Sequence, residues 1–140
     1  MRRYLIVANQ TLTEAHLIAK VRELDRGEPC AFHVLVPATV PQDHPWTEGE
    51  VQGVARRRLE EGLALFRDAA VEATGQVGDA DPVLAIEDVL REQAFDGIVI
   101  STLPPRISRW LKLDLPRRVE GLFGLPVIHV EGEEQPATPR

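Results

Sequence analysis

Short apolar runs alternate with longer stretches in which apolar residues recur every three or four positions. Leu5-Ile6-Val7-Ala8 is such a run, the pattern expected of a strand covered on both faces. Asn9-Gln10-Thr11 then turns the chain. Thr11 to Glu14 has the spacing of a capping box, with Thr11 at the N-cap, ahead of a helix carrying Leu17, Ile18, Val21 and Leu24 and stopped by Gly27. Ala31 to Val36 is a second strand, closed by Pro37. A proline-rich loop over 39–49 follows, long enough to serve as a lid, with His44 and Trp46 in it. Glu50 to Ala70 repeats Val51, Ala55, Leu59, Leu63 and Phe66 and predicts a long helix. Ala73 to Val77 is a short third strand. Asp81 as N-cap and Pro82 as first helical residue open a third helix with Val83, Ile86, Val89 and Leu90 on its buried stripe. Ile98 to Ile100 is a fourth strand. Asp114 restarts a helix with Val119, Leu122 and Phe123, and Leu125 to Val130 is the fifth strand.

Strands alternating with helices imply an α/β fold, a five-stranded parallel sheet with helices on both faces and right-handed crossovers. Residues 1–130 form the expected domain. The tail 131–140 has no apolar residue larger than alanine and is expected to be disordered. Sheets of this kind take ligands beyond the carboxyl ends of their strands, where the strand order reverses. Those ends carry Asn9, Gln10 and Thr11, then Pro37, then Gly78 and Asp79, then Ser101 and Thr102.

Charge adds one local feature. The 140-residue chain has a net charge of −6, which argues against nucleic acid as a partner. Arg106, Arg109, Lys112, Arg117 and Arg118 nevertheless fall in one stretch with a single acid, Asp114. That run is either an anion site or a solvated cationic face. Arg56-Arg57-Arg58, followed by Glu60 and Glu61, has the pattern of a solvated face with local ion pairs. His33, inside a strand, is expected to be packed rather than functional. The single cysteine, Cys30, permits no intrachain disulfide and fits a buried thiol in a cytoplasmic protein. No apolar stretch approaches the ~20 residues of a membrane span, and none has the form of a secretion signal.

The pieces taken together resemble the universal stress proteins, a Rossmann-like family. Arg3 to Ala8 with Asn9 and Thr11 is similar to that family's first strand and its Asp-x-Ser turn. His33-Val34-Leu35-Val36 is similar to its second strand, and Gly78-Asp79-Ala80-Asp81-Pro82 with Ile86 to its Gly-Asp-Pro…Ile signature. Phe95 to Ile100 and Leu125 to Val130 resemble its fourth and last strands. The resemblance implies a non-catalytic domain holding a small anionic ligand or nucleotide, with ATP or AMP as the candidate nucleotide. It also implies a homodimer, made through Leu125 to Val130.

The family's nucleotide motif, Gly-x2-Gly-x9-Gly-Ser/Thr, is missing. Its first two glycine positions fall on Ser101 and Pro104 and its Gly-Ser on Leu113-Asp114, and Asn9 stands where the family has Asp. Pro104 and Pro105 have no N–H to give a phosphate oxygen. A carboxylate at position 114 would repel a phosphate ~4 Å away by about 4 kcal/mol at an effective dielectric near 20. Any anion site must then use side chains: Ser101, Thr102, Arg106, Ser108 and Arg109. The plain alternative is that Ser108 caps a short helix at Trp110 and the arginines pair with local acids. Asp79 and Asp81 could assist a Mg²⁺ ion, or Asp81 serves only as the helix cap. Three functions therefore stand: a small-ligand binder, a ligand-free homodimeric interaction module, and a weak ATP-binding hydrolase. No Walker-type loop, pyrophosphatase loop, serine-hydrolase elbow or zinc spacing occurs.

Overall fold

A computed structural model describes residues 1–39 and 45–132. Five parallel strands lie in the order β3-β2-β1-β4-β5: β1 is Arg2–Val7, β2 Cys30–Pro37, β3 Ala73–Gly78, β4 Gly97–Thr102 and β5 Val127–Glu131. The helices are α1 (Ala15–Gly27), α2 (Glu48–Asp68), α3 (Pro82–Glu92), α4 (Arg109–Lys112) and α5 (Leu115–Phe123). The first three strands step one way from β1, and the fourth pairs on its other side, Val7 beside Ile100. The order therefore reverses between β1 and β4, the point at which sheets of this kind open a crevice at their carboxyl ends.

Each strand feeds two cores because its side chains alternate. Ile6, Val34, Val36 and Val99 meet α1 and α2, through Leu17, Val21, Ala55, Leu59 and Phe66. Leu5, Val7, Leu35, Ile98 and Ile100 meet α3, α4 and α5, through Ile86, Val89, Trp110, Leu115 and Val119. The central strands are covered on both faces, which is why they appear in the sequence as unbroken apolar runs.

Local chemistry sets the helix ends. At α3, Asp81 accepts from the Val83 N–H at 2.9 Å ahead of Pro82, as the sequence predicts. Helix α2 begins two residues before the expected start, behind a capping box. The Thr47 hydroxyl accepts from the Glu50 N–H, and the Glu50 carboxylate accepts from the Thr47 N–H. The predicted box at Thr11 is not formed. Helix α1 begins at Ala15 behind Glu14, without a side-chain cap, because the Thr11 hydroxyl is engaged across the sheet. β5 begins at Val127 rather than Leu125. Pro126 has no N–H to enter the ladder, although its carbonyl accepts from Ile98 at 2.9 Å.

Trp46 packs, half-buried, against the α1/α2 core. His44 of the candidate lid and residues 133–140 of the tail lie outside the described residues. Among the described residues, no helix is long and apolar enough to cross a membrane.

Candidate functional site

A cleft of about 620 Å³ opens at the carboxyl edge where β1 and β4 part. Thr11, from the turn after β1, and Ser101, at the carboxyl end of β4, share a hydroxyl–hydroxyl hydrogen bond of 2.5 Å and are almost fully buried. Asn9 and Ser101 line the same cleft. Gln10, Thr102, Arg106, Ser108 and Arg109 also line it, so the turns after β1 and β4 supply its walls. Thr39, Leu103, Ile107, Trp110 and Lys112 complete the lining. The volume falls within the ~300–1,000 Å³ usual for small-molecule sites.

Three sequence candidates stand behind the cleft rather than in its lining. The Pro37 carbonyl accepts from the Asn9 amide at 2.7 Å, holding that side chain at the end of the strand. The Gly78 carbonyl accepts from the Ala38 N–H at 3.1 Å. Asp79 accepts from the Asp81 N–H at 2.8 Å, and Asp81 caps α3, so both carboxylates are spent on shaping one helix entry. Among the described residues, no group of three or more metal-ligating side chains is gathered.

Arg58 is the residue that sequence reasoning missed. The Arg56-Arg57-Arg58 run is not solvated along its whole length. The Arg58 guanidinium is half-buried and donates to the Asn9 amide oxygen. Burial lowers its pKa from the ordinary range, with Glu61 opposing. The signal was available: Arg58 is three residues after Ala55 and seven after Val51, a spacing that sets it beside the buried stripe. Asn9 thus donates to the Pro37 carbonyl and accepts a hydrogen bond from Arg58, and both ends of its amide are occupied.

In the connection after β4, several backbone N–H groups are spent locally. The N–H groups of Ile107 and Ser108 both turn back to the Pro104 carbonyl at 3.0 Å. The Leu111 N–H goes to the Ser108 hydroxyl at 3.1 Å, and those of Lys112 and Leu113 go to Ser108 and Arg109 carbonyls. Helix α4 is a single turn, and the side chains of Ser108, Arg109 and Lys112 around it line the cleft. Ser108 both caps this turn and borders the cleft.

The expected repulsion from Asp114 does not arise at this cleft. Asp114 is the N-cap of α5, but its backbone is left-handed at φ 55, its side chain caps nothing, and it sits 3.9 Å from Arg117, outside the lining. His33 is buried, with Nδ1 2.7 Å from the Thr74 hydroxyl and Nε2 2.9 Å from the Gln76 amide oxygen. His129 extends the polar edge. Its Nε2 meets the Thr102 hydroxyl at 2.8 Å, and its Nδ1 is 3.9 Å from Glu131. Burial lowers the His129 pKa and Glu131 partly opposes it.

A parallel sheet whose strand order reverses, with a cleft at the reversal, defines a doubly wound α/β fold. No family model matches the sequence, and no curated protein does. Solved structures do, and they fix the fold as that of the universal stress proteins. A universal stress protein from Archaeoglobus fulgidus superposes with a TM-score of 0.64 at 16% identity, covering 93% of each chain. A universal-stress-family protein from Burkholderia pseudomallei gives 0.60 at 16% identity, covering 91% of this chain and 93% of its own. A universal stress protein solved in complex with cAMP gives 0.59 at 9% identity, covering 92% of this chain and 96% of its own.

Proposed function

We propose that this chain is a non-catalytic domain of the universal stress type that binds a small anionic ligand, a nucleotide foremost, at the carboxyl ends of β1 and β4. The observation that carries this reading is the cleft itself: the Thr11–Ser101 bond closes its floor, and Arg106, Arg109 and Lys112 stand on one wall. Trp110 and Leu103 offer apolar surface for a flat group, and the arginines suit bidentate contact with phosphate. The cAMP bound by a protein of the same fold supports a nucleotide of this size. ATP and AMP are the probes. Calorimetric titration should give a dissociation constant of about a millimolar or tighter, weakened about tenfold by joint replacement of Arg106 and Arg109 with alanine. No heat with either nucleotide would overturn the reading.

A second reading concerns assembly. Among the described residues, β5 is an edge strand paired only with β4, and Val127, Ile128 and His129 on it are only partly buried. A free edge of this kind suits pairing with a second copy, making a homodimer through the Leu125 to Val130 segment. Light scattering should give twice the 15.6 kDa chain mass. A single-chain mass at working concentration would remove this reading and leave the first intact.

A further inference from the structure

A second hollow of about 220 Å³ adjoins the cleft, between the entry of α3 and the α4–α5 corner. The two spaces share Thr39, Arg109 and Trp110. Trp110 is nine-tenths buried, so its ring is a fixed wall that both spaces touch. Arg118, in α5, borders the hollow but not the cleft. Among the described residues, neither Arg109 nor Arg118 has an acidic partner, whereas the neighbouring Arg117 has Asp114 at 3.9 Å. Asp81 also borders the hollow, but its carboxylate is engaged by the Val83 N–H at 2.9 Å. Arg109 and Arg118 are exposed, and against the one Asp81 carboxylate they leave the hollow with a positive balance that an arriving anion would answer.

We infer that the ligand carries two separate anionic groups. One meets Arg106 and Lys112 in the cleft. The other passes Trp110 and seats between Arg109 and Arg118 in the adjoining hollow. The flat body between them lies against the Trp110 wall, where an aromatic surface favours it. A nucleoside bisphosphate, with phosphates on two sides of the ribose, has this form. A nucleoside monophosphate lacks the second group and leaves Arg118 unmatched. This inference rests on the ligand reading above and goes beyond it by naming the hollow, Arg118 and a doubly anionic ligand class.

The test compares AMP with adenosine 3′,5′-bisphosphate by calorimetry at one fixed salt concentration, since exposed charges are screened. Three chains are titrated: the native one, Arg118→Gln and Arg117→Gln. The native chain should prefer the bisphosphate by about tenfold, the size of one charge-assisted contact. Arg118→Gln should abolish that preference and leave AMP affinity unchanged, while Arg117→Gln should keep it. Equal loss in both variants would trace the preference to the general positive field and overturn the inference. So would a preference untouched by Arg118→Gln, or no preference at all while AMP binds; in these cases the ligand reading survives. Failure of both nucleotides to bind would overturn the two together.

Discussion

At the scale of single residues, the molecule spends its buried polar groups in pairs. Thr11 and Ser101 satisfy each other, so Thr11→Val would strand the Ser101 hydroxyl in a site 2% exposed. The expected loss is about 1–2 kcal/mol in urea unfolding, and a Thr11→Val/Ser101→Ala double variant should lose less than the sum of the singles. His129 predicts a pH effect of definite sign. Its folded pKa lies below the ordinary 6.5, so as pH falls the unfolded chain takes the proton first. Its contribution is fully present above about pH 6.5 and is lost as pH drops through the lower folded value. The urea midpoint of the native chain should therefore fall more steeply than that of His129→Gln between about pH 7.5 and about pH 5.5; parallel curves would contradict this. The residue scale is also where the sequence was least legible. Arg58 looked like one of three solvated arginines, and only the fold shows that it reaches Asn9 across 49 positions. Thr11 looked like a local cap because its spacing to Glu14 fits one, but its true partner is 90 residues away.

At the scale of elements, periodicity and stop signals carried most of the information. The apolar stripe of α3, its Asp81 cap and Pro82 lie where the sequence predicts them, because that signal is entirely local. The end of α2 is less regular. The Val71 N–H reaches the Phe66 carbonyl at 2.8 Å and the Ala70 N–H reaches Arg67 at 3.0 Å, the paired bonds of a left-handed helix stop. Ala70 holds the left-handed position at φ 60, where glycine is usual. Ala70→Gly should therefore raise stability by about 0.5–1 kcal/mol, read from the urea midpoint. Within the same helix, two glycines should answer in opposite directions. Gly53 faces open space, so Gly53→Ala should stabilise by up to about 1 kcal/mol. At Gly62 an added methyl would come 2.5 Å from the fully buried Leu12 side chain, so Gly62→Ala should destabilise by about 1–3 kcal/mol. Thermal unfolding of the two variants checks both signs.

At the scale of the whole molecule, the sheet order does the functional work. Reversal between β1 and β4 joins two turns that are far apart in sequence, and the cleft exists because of that junction. Alternation of strands and helices made the parallel sheet legible. Strand order is a long-range property, and alternation alone does not give it. The cationic stretch from Arg106 to Arg118 was visible as composition, but its division between two spaces was not. That division depends on Trp110 standing between them and on α5 starting from a left-handed turn at Asp114.

The most direct measurement is a titration of the isotope-labelled chain with AMP, followed through its backbone amide resonances. Saturable shifts should gather at Gln10, Thr11, Ser101, Thr102 and the Ser108–Trp110 turn, with little change at Gly27 or Asp96 on the opposite edge. Shifts spread evenly over the surface, or gathered at that opposite edge, would contradict the placement of the ligand between the first and fourth strands.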